Sequence, residues 1–473
     1  MPSRRGLFKL ACCAVGVALL AALASGQVEV SIKPLFAKPS AAPLHVLGDV
    51  PAVEVSSAAV SWVSAGRLWV MGADGAPEAL SGQRWSASNP EWSYDGNWLA
   101  FLEQSPAGRE RLELEAPRVG ISKTLVSGSS IAFMWSPAAD QLAYTMAGGG
   151  LWITGVDGET VQLLPAGSAL DSFDWSPIGD YVAFSVPRGR SSQLMLERPV
   201  GATEPQVAWQ SPPGTLALLA SWWPNEEGVL VWLERAGSAS WQGLGLWAVG
   251  FHGGARFLAS TFVFLPWVTW APGGSKLAVV AGAGLPWEDK RILVCEFPSF
   301  ECEGLPQPQG VVDLDPAWSP DGSELAFVRA EAKSTLPPGV TVDAWYPTRH
   351  LWIAKVTWVP ARRIKLSDRT GAAEAAMALS RPRAIGAQSA PRGRFVFVER
   401  QLRLPGAVAS PCFIGGGTEI GFSTPHSVEV VSAAGGPPVF LASQLSGVEA
   451  VGAGPDGYGK TPWGGLAVWA GPH

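Results

Sequence analysis

Few residues of this chain are spaced for chemistry. Asp313 and Asp315, in "VVDLDPAW", could offer carboxylate oxygens to a hard cation such as Ca2+, and read more simply as a polar pair at the mouth of a structural unit. The histidines at 45, 252, 350, 426 and 473 show no His-Glu-x-x-His spacing, and no Cys-x-x-Cys pair supports a zinc site. No Gly-x-Ser-x-Gly elbow is present to raise a serine nucleophile. The runs Gly148–Gly150 and Gly415–Gly417 lack the following Lys-Ser/Thr of a phosphate cradle and read as turns. No catalytic constellation assembles, and no cofactor is expected beyond the open question of Ca2+.

Binding residues are easier to find. "LERAGSASWQGLGLW" carries Trp241, "VAGAGLPWEDKRILV" carries Trp287, and "VRAEAKSTLPPGVTVDAWYPTRHLW" carries Trp345 and Tyr346. Each is an inserted stretch between two apolar runs, where a tight connection such as "AYTMAGGGLWI" would serve. An aromatic ring repeated in three such insertions suggests contact with a peptide or glycan; the alternative is a ring folded back as a lid on its own unit. A second feature is charge. Residues 362–403 hold ten Arg/Lys against three acids, and Arg392, Arg394, Arg400 and Arg403 are expected to contact an anionic partner.

The elements that must position these residues are written in the chain as repeats. "NPEWSYDGNWLAFLEQ" (Asn89–Gln104) returns as "DPAWSPDGSELAFVRA" (Asp315–Ala330). Between them stand "MWSPAADQLAYTM", "DWSPIGDYVAFSV", "SWWPNEEGVLVWLE" and "TWAPGGSKLAVVA". The aligned tryptophans are 92, 135, 175, 222, 270 and 318, at spacings of 43, 40, 47, 48 and 48 residues. Pro-Asp-Gly is turn chemistry, and the "LAF" or "VAF" after it has strand length. A second strand and another turn often follow, as in "LWITGVDG". Four short strands in about 45 residues suit radially stacked blades, each sheet burying both faces against its neighbours. The recurring tryptophans, including Trp69, Trp152, Trp247 and Trp352 at a second position, then serve inter-blade packing.

These residues resemble the TolB-like β-propeller repeat, whose motif is a Trp-Ser-Pro-Asp-Gly turn followed by an Ile/Leu-Ala-Phe strand. The resemblance covers residues 58–369 well and 370–473 poorly. It implies a periplasmic or secreted scaffold that binds peptides or partner proteins. The peptidases that pair such propellers with a hydrolase domain are not matched, because the nucleophile elbow is missing.

Composition agrees with this architecture. Apolar residues make up 47% of 473 and charged residues 16%, enough for a large core, and 55 glycines with 40 prolines suit turns better than helices. A formal charge of −6 argues against a nucleic-acid partner. "MPSRRGLFKL" places Arg4, Arg5 and Lys9 before an apolar run from Leu10 to Ala24, ending near a small-residue cleavage site. It reads as an export signal through the general or the twin-arginine route, or as an uncleaved anchor, which alone would bring the membrane in as a partner. Cys295 and Cys302 in "LVCEFPSFEC" could bridge across a hairpin, leaving Cys412 single.

The expected organisation is a signal over 1–26, a lead-in over 27–57, and one all-β propeller over 58–473. Clear repeats run 89–369 and degenerate ones 381–473. Eight four-stranded blades are expected, with seven the alternative, and the two chain ends share the closing blade. The expected function is a non-catalytic, exported scaffold for an envelope protein, peptide or glycan. The alternative is a hydrolase or lyase with a site in the central channel.

Overall fold

The computed structural model describes residues 29–34, 58–64, 66–71, 77–200, 204–236, 243–285, 287–333, 348–360, 393–424, 426–443 and 466–468. The export segment expected at residues 1–26 lies outside them. Eight sheets form an eight-bladed β-propeller, and helix among the described residues is limited to 3-10 turns such as Leu265–Trp267. Seven blades are four antiparallel strands in chain order. Blade 1 holds Ser86–Trp92, Leu99–Gln104, Glu110–Ala116 and Ile121–Gly128. Blades 2 to 5 occupy 132–164, 172–210, 215–261 and 268–304. Blade 6 holds Val311–Trp318, Glu324–Glu331, His350–Pro360 and Gly393–Gln401, and blade 7 spans 409–442. First strands of successive blades approach one another, which places them around the central axis.

The repeat motif has a direct structural reason. The first strand of each of blades 1 to 6 ends on the repeat tryptophan. The serine after it caps the turn: Ser319 Oγ donates to Asp321 Oδ1 at 2.6 Å and accepts from the Glu324 N–H at 2.9 Å. These bonds, with others from Ser323, hold the Asp321 carboxyl down at about 2. Gly322 takes φ +65°, which a residue with a Cβ adopts only under strain. The strand that follows is buried on both faces, as in Leu99, Ala100, Phe101 and Leu102, none more than 1% exposed.

Each repeat tryptophan also ties its blade to the one before. Trp135 Nε1 donates to the Glu91 carbonyl at 2.8 Å, Trp175 to Met134 at 3.2 Å, Trp222 to Asp174 at 3.3 Å and Trp318 to Thr269 at 3.1 Å. Trp270 reaches the Ser221 hydroxyl and Trp92 the Ser61 hydroxyl, both at 3.1 Å. In all six the acceptor residue immediately precedes a tryptophan of the previous blade, Trp62 in the case of Ser61. A buried indole N–H needs an acceptor, and this one is renewed every repeat. The second tryptophan set differs. Trp69, Trp152, Trp247 and Trp352 are only half-buried; Trp152 stacks on Tyr144 and Trp352 lies 4.8 Å beneath the Arg329 guanidinium.

The eighth blade joins the chain ends. Glu29–Pro34 pairs antiparallel with Ala58–Ser64, which continues through Arg67–Met71 to Pro77–Ala79. Leu466–Val468 pairs in parallel with Glu29–Pro34 and makes this sheet five-stranded. Two expectations need adjustment. The lead-in over 27–57 contributes a strand, and the degenerate repeats expected over 381–473 start later than that, because Gly393–Gln401 is the outermost strand of blade 6. Blade 7 begins instead at "SPCFIGGGTEIGFS", where Phe413 stands in place of tryptophan and hides the motif.

Candidate functional site

The three inserted stretches each join the second and third strands of their blade: 235–244 in blade 4, 281–291 in blade 5 and 331–350 in blade 6. Because strands alternate in direction, these connections emerge on one face of the ring, beside the links that enter each next blade. Trp241, Trp345 and Tyr346 lie outside the described residues. Trp287 does not. It is 4% exposed, packed in the core, and its carbonyl accepts the Lys333 N–H at 2.6 Å. An indole so covered offers no ring face to a ligand in this arrangement; it pins the blade 5 connection to the start of the blade 6 connection.

Around that tryptophan the sequence buries charge. The blade 5 connection closes on itself: Asp289 accepts from the Ala283 and Gly284 N–H groups at 2.9 and 3.0 Å, and although burial pushes its carboxyl up, the Lys290 ammonium and then these N–H groups hold it low. Lys290 is fully buried, and its Nζ donates to the Gly282 carbonyl and to Asp289 Oδ1, each at 2.9 Å. Its desolvation lowers the ammonium below the usual range, with Asp289 working against that. The Lys290 carbonyl accepts from Gln307 Nε2 at 2.8 Å and from the Asp313 N–H at 3.1 Å, joining blade 5 to blade 6.

Asp313 and Asp315 face guanidinium groups. Arg329 holds Asp313 through two bonds, Nε to Oδ1 at 2.6 Å and Nη2 to Oδ2 at 2.9 Å, and reaches Glu399 Oε2 at 3.0 Å. Asp313 is 0% exposed; burial pushes its carboxyl up while Arg329 draws it down. Asp315 has φ +50° at a bulge before Pro316. It pairs with Arg349 Nη2 and accepts from Trp267 Nε1 at 2.9 Å and the Ser410 N–H at 3.3 Å. Arg349 is 2% exposed and also donates to the Val408 carbonyl at 2.9 Å. The oxygens considered for Ca2+ are thus engaged by arginines, and no group of three metal-binding side chains gathers among the described residues. Sequence spacing showed the two aspartates; their partners, 16 and 34 residues away, carry no local signal.

The basic stretch separates. Arg392 lies outside the described residues, Arg394 and Arg403 are exposed, and Arg400 is half-buried. Arg400 and Arg403 come together on an outer cleft between blades 6 and 7. On the inner side, Asp174 in the first strand of blade 3 keeps some surface open, yet protein atoms crowd it. Burial lifts its carboxyl to about 7, against a bond from the Trp175 backbone.

No known family profile matches this chain, and no curated protein does. Among solved structures it is similar to a prolyl endopeptidase, with TM-score 0.44 and 14% identity over 76% of this chain and 50% of that one. An oligogalacturonate lyase in complex with manganese gives TM-score 0.44 and 14% identity over 80% and 94%. TolB from Acinetobacter baumannii gives 0.32 and 15% over 59% and 74%. This chain spans about half the length of the prolyl endopeptidase.

Proposed function

We propose that this eight-bladed propeller is a non-catalytic, exported binding scaffold that takes a protein, peptide or glycan of the cell envelope on the face bearing the lengthened connections. One observation carries the reading: three consecutive blades lengthen the same connection, and the roots of two of them are locked by Trp287, Lys290 and the Arg329 and Arg349 ion pairs. Buried ion pairs add little net stability, so their value lies in holding one geometry. Loops on a rigid frame are where recognition is built. On this reading contact falls to Trp241, Trp345 and Tyr346, while Trp287 fixes their support. The test replaces the blade 4 and blade 6 insertions with the short "AGGG" connection of blade 2. Parent and variant are then compared on peptide and glycan arrays. Loss of the parent's array signals at an unchanged melting temperature is expected, and retention of those signals would move the binding face elsewhere.

A second reading, a hydrolase or lyase working in the central channel, is favoured by Asp174. A carboxyl near 7 on an innermost strand suits general acid–base work.

A further inference from the structure

We infer that the outer cleft between blades 6 and 7 is a second site, which takes an acidic peptide in extended form. It is lined by the end of the outermost strand of blade 6 and the link into blade 7, beside the root of the blade 6 connection, and it uses none of the aromatic residues on which the reading of those connections rests. The cleft encloses about 610 Å³. Arg400, Leu402 and Arg403 line one wall, Gly435, Pro437 and Pro438 the other, and the charged side chains lining it are both arginines.

Arg400 is aimed by its surroundings. Its Nη1 donates to the Ala433 carbonyl at 2.6 Å, and its Nη2 stands 3.6 Å from Glu324 Oε1, too far for a tight bond. The remaining N–H groups of its fork are available to a carboxylate. Arg403 is exposed and takes part in none of the ion pairs among the described residues.

The surface continues beyond the cleft. Blade 6 ends in a hairpin that outgrows its sheet: the second strand stops opposite Lys355, while His350–Pro360 and Gly393–Gln401 stay paired as far as Pro360 and Gly393. Alternation puts Arg394, Val396, Val398 and Arg400 on one side of the outermost strand, opposite Val359, Thr357, Lys355 and Ile353. Val398 is 64% exposed, Val359 40% and Val396 38%. The stripe therefore reads cation, two valines, cation, with Lys355 beside it and Arg403 just past the strand's end. The strand has no partner strand on its far side, where one of its N–H groups, that of Phe395, is engaged by the Glu303 carboxylate of blade 5. An unpaired edge suits an extended chain, the arginine forks suit carboxylates, and the valines suit apolar residues between acids. A free phosphate or sulfate would use the arginines and leave the valines and the edge without a role.

The probe is a fluorescein-labelled peptide of sequence EEVSVEE, titrated with the full chain and followed by anisotropy, with KKVSVKK as its control. The acidic peptide should bind and the basic one should not. Arg403→Gln should weaken binding about tenfold or more, the weight of one charge-assisted bond, and Arg400→Gln added to it should weaken binding further. Val398→Asp should do the same through repulsion. Arg403→Gln and Val398→Asp change exposed side chains and should leave the melting temperature in place, so they remain informative if Arg400→Gln folds poorly. Four results would overturn the assignment: no binding below about 1 mM, equal binding by the variants, equal binding of KKVSVKK, or tighter binding of an oligouronide of matching charge.

Discussion

At the scale of single residues the molecule spends its polar groups on joining blades. The indole N–H of Trp175 bonds a carbonyl 41 residues back, and the Asp315 carboxylate accepts from a backbone N–H 95 residues ahead in blade 7. Asp174 is the residue whose environment most changes its chemistry. Its folded carboxyl stands near 7 against an ordinary 3.8, so folding favours the protonated form. Stability from that form is complete below the unfolded value and is lost as pH rises through the window from 3.8 to about 7. The loss is up to about 4 kcal/mol for a single carboxyl. Asp174→Asn cannot ionise and should flatten that part of the pH profile. Urea unfolding at a series of pH values reads the difference. Parallel profiles for parent and variant would mean that Asp174 ionises as readily folded as unfolded.

At the scale of elements, the outer hairpin of blade 5 shows how a covalent tie and a sheet register cooperate. Arg291–Glu296 pairs with Glu301–Gly304, and this register sets Cys295 directly opposite Cys302, where the two are disulfide-bonded. Cys412 is buried in blade 7, and burial raises its thiol well above the usual range, so it is a poor competitor for exchange. A bridge closing so short a loop restricts the unfolded chain by about 2 kcal/mol. The double variant Cys295→Ser, Cys302→Ser should lose about that much in denaturant unfolding. Reductant should lower the parent to the variant's level and leave the variant where it is. A parent indifferent to reductant would mean that the thiols are unbridged.

At the scale of the whole molecule, the ring depends on one sheet that draws strands from both ends of the chain. Every other blade closes within its own stretch, while the eighth needs Leu466–Val468 beside Glu29–Pro34. A propeller relies on each sheet covering both neighbours, so an opened ring exposes two apolar blade faces at once. Truncation after Gly465 should lower the unfolding midpoint and broaden or split a single transition. A truncated chain with the parent's midpoint and cooperativity would show that the ring holds without its parallel strand.

The amino-acid sequence by itself determined the repeat and therefore the architecture. Trp, Ser-Pro-Asp-Gly and a doubly buried strand are local requirements of one blade, and six copies in register leave few folds that could bury them all. It also marked Asp313, Asp315 and the clustered arginines as unusual, and the lengthened connections as a shared position. What those residues do was decided by tertiary structure, because it depends on partners far apart in the chain. Asp313 and Asp315 meet arginines instead of forming a pair of free oxygens. Trp287 is keyed into the core rather than presented. "RFVFVER" has the pattern of a repeat strand, and only the pairing of Gly393–Gln401 with His350–Pro360 makes it the outer edge of blade 6. Period-two alternation tells which side chains share a face; it does not tell which strand, or which blade, lies against that face.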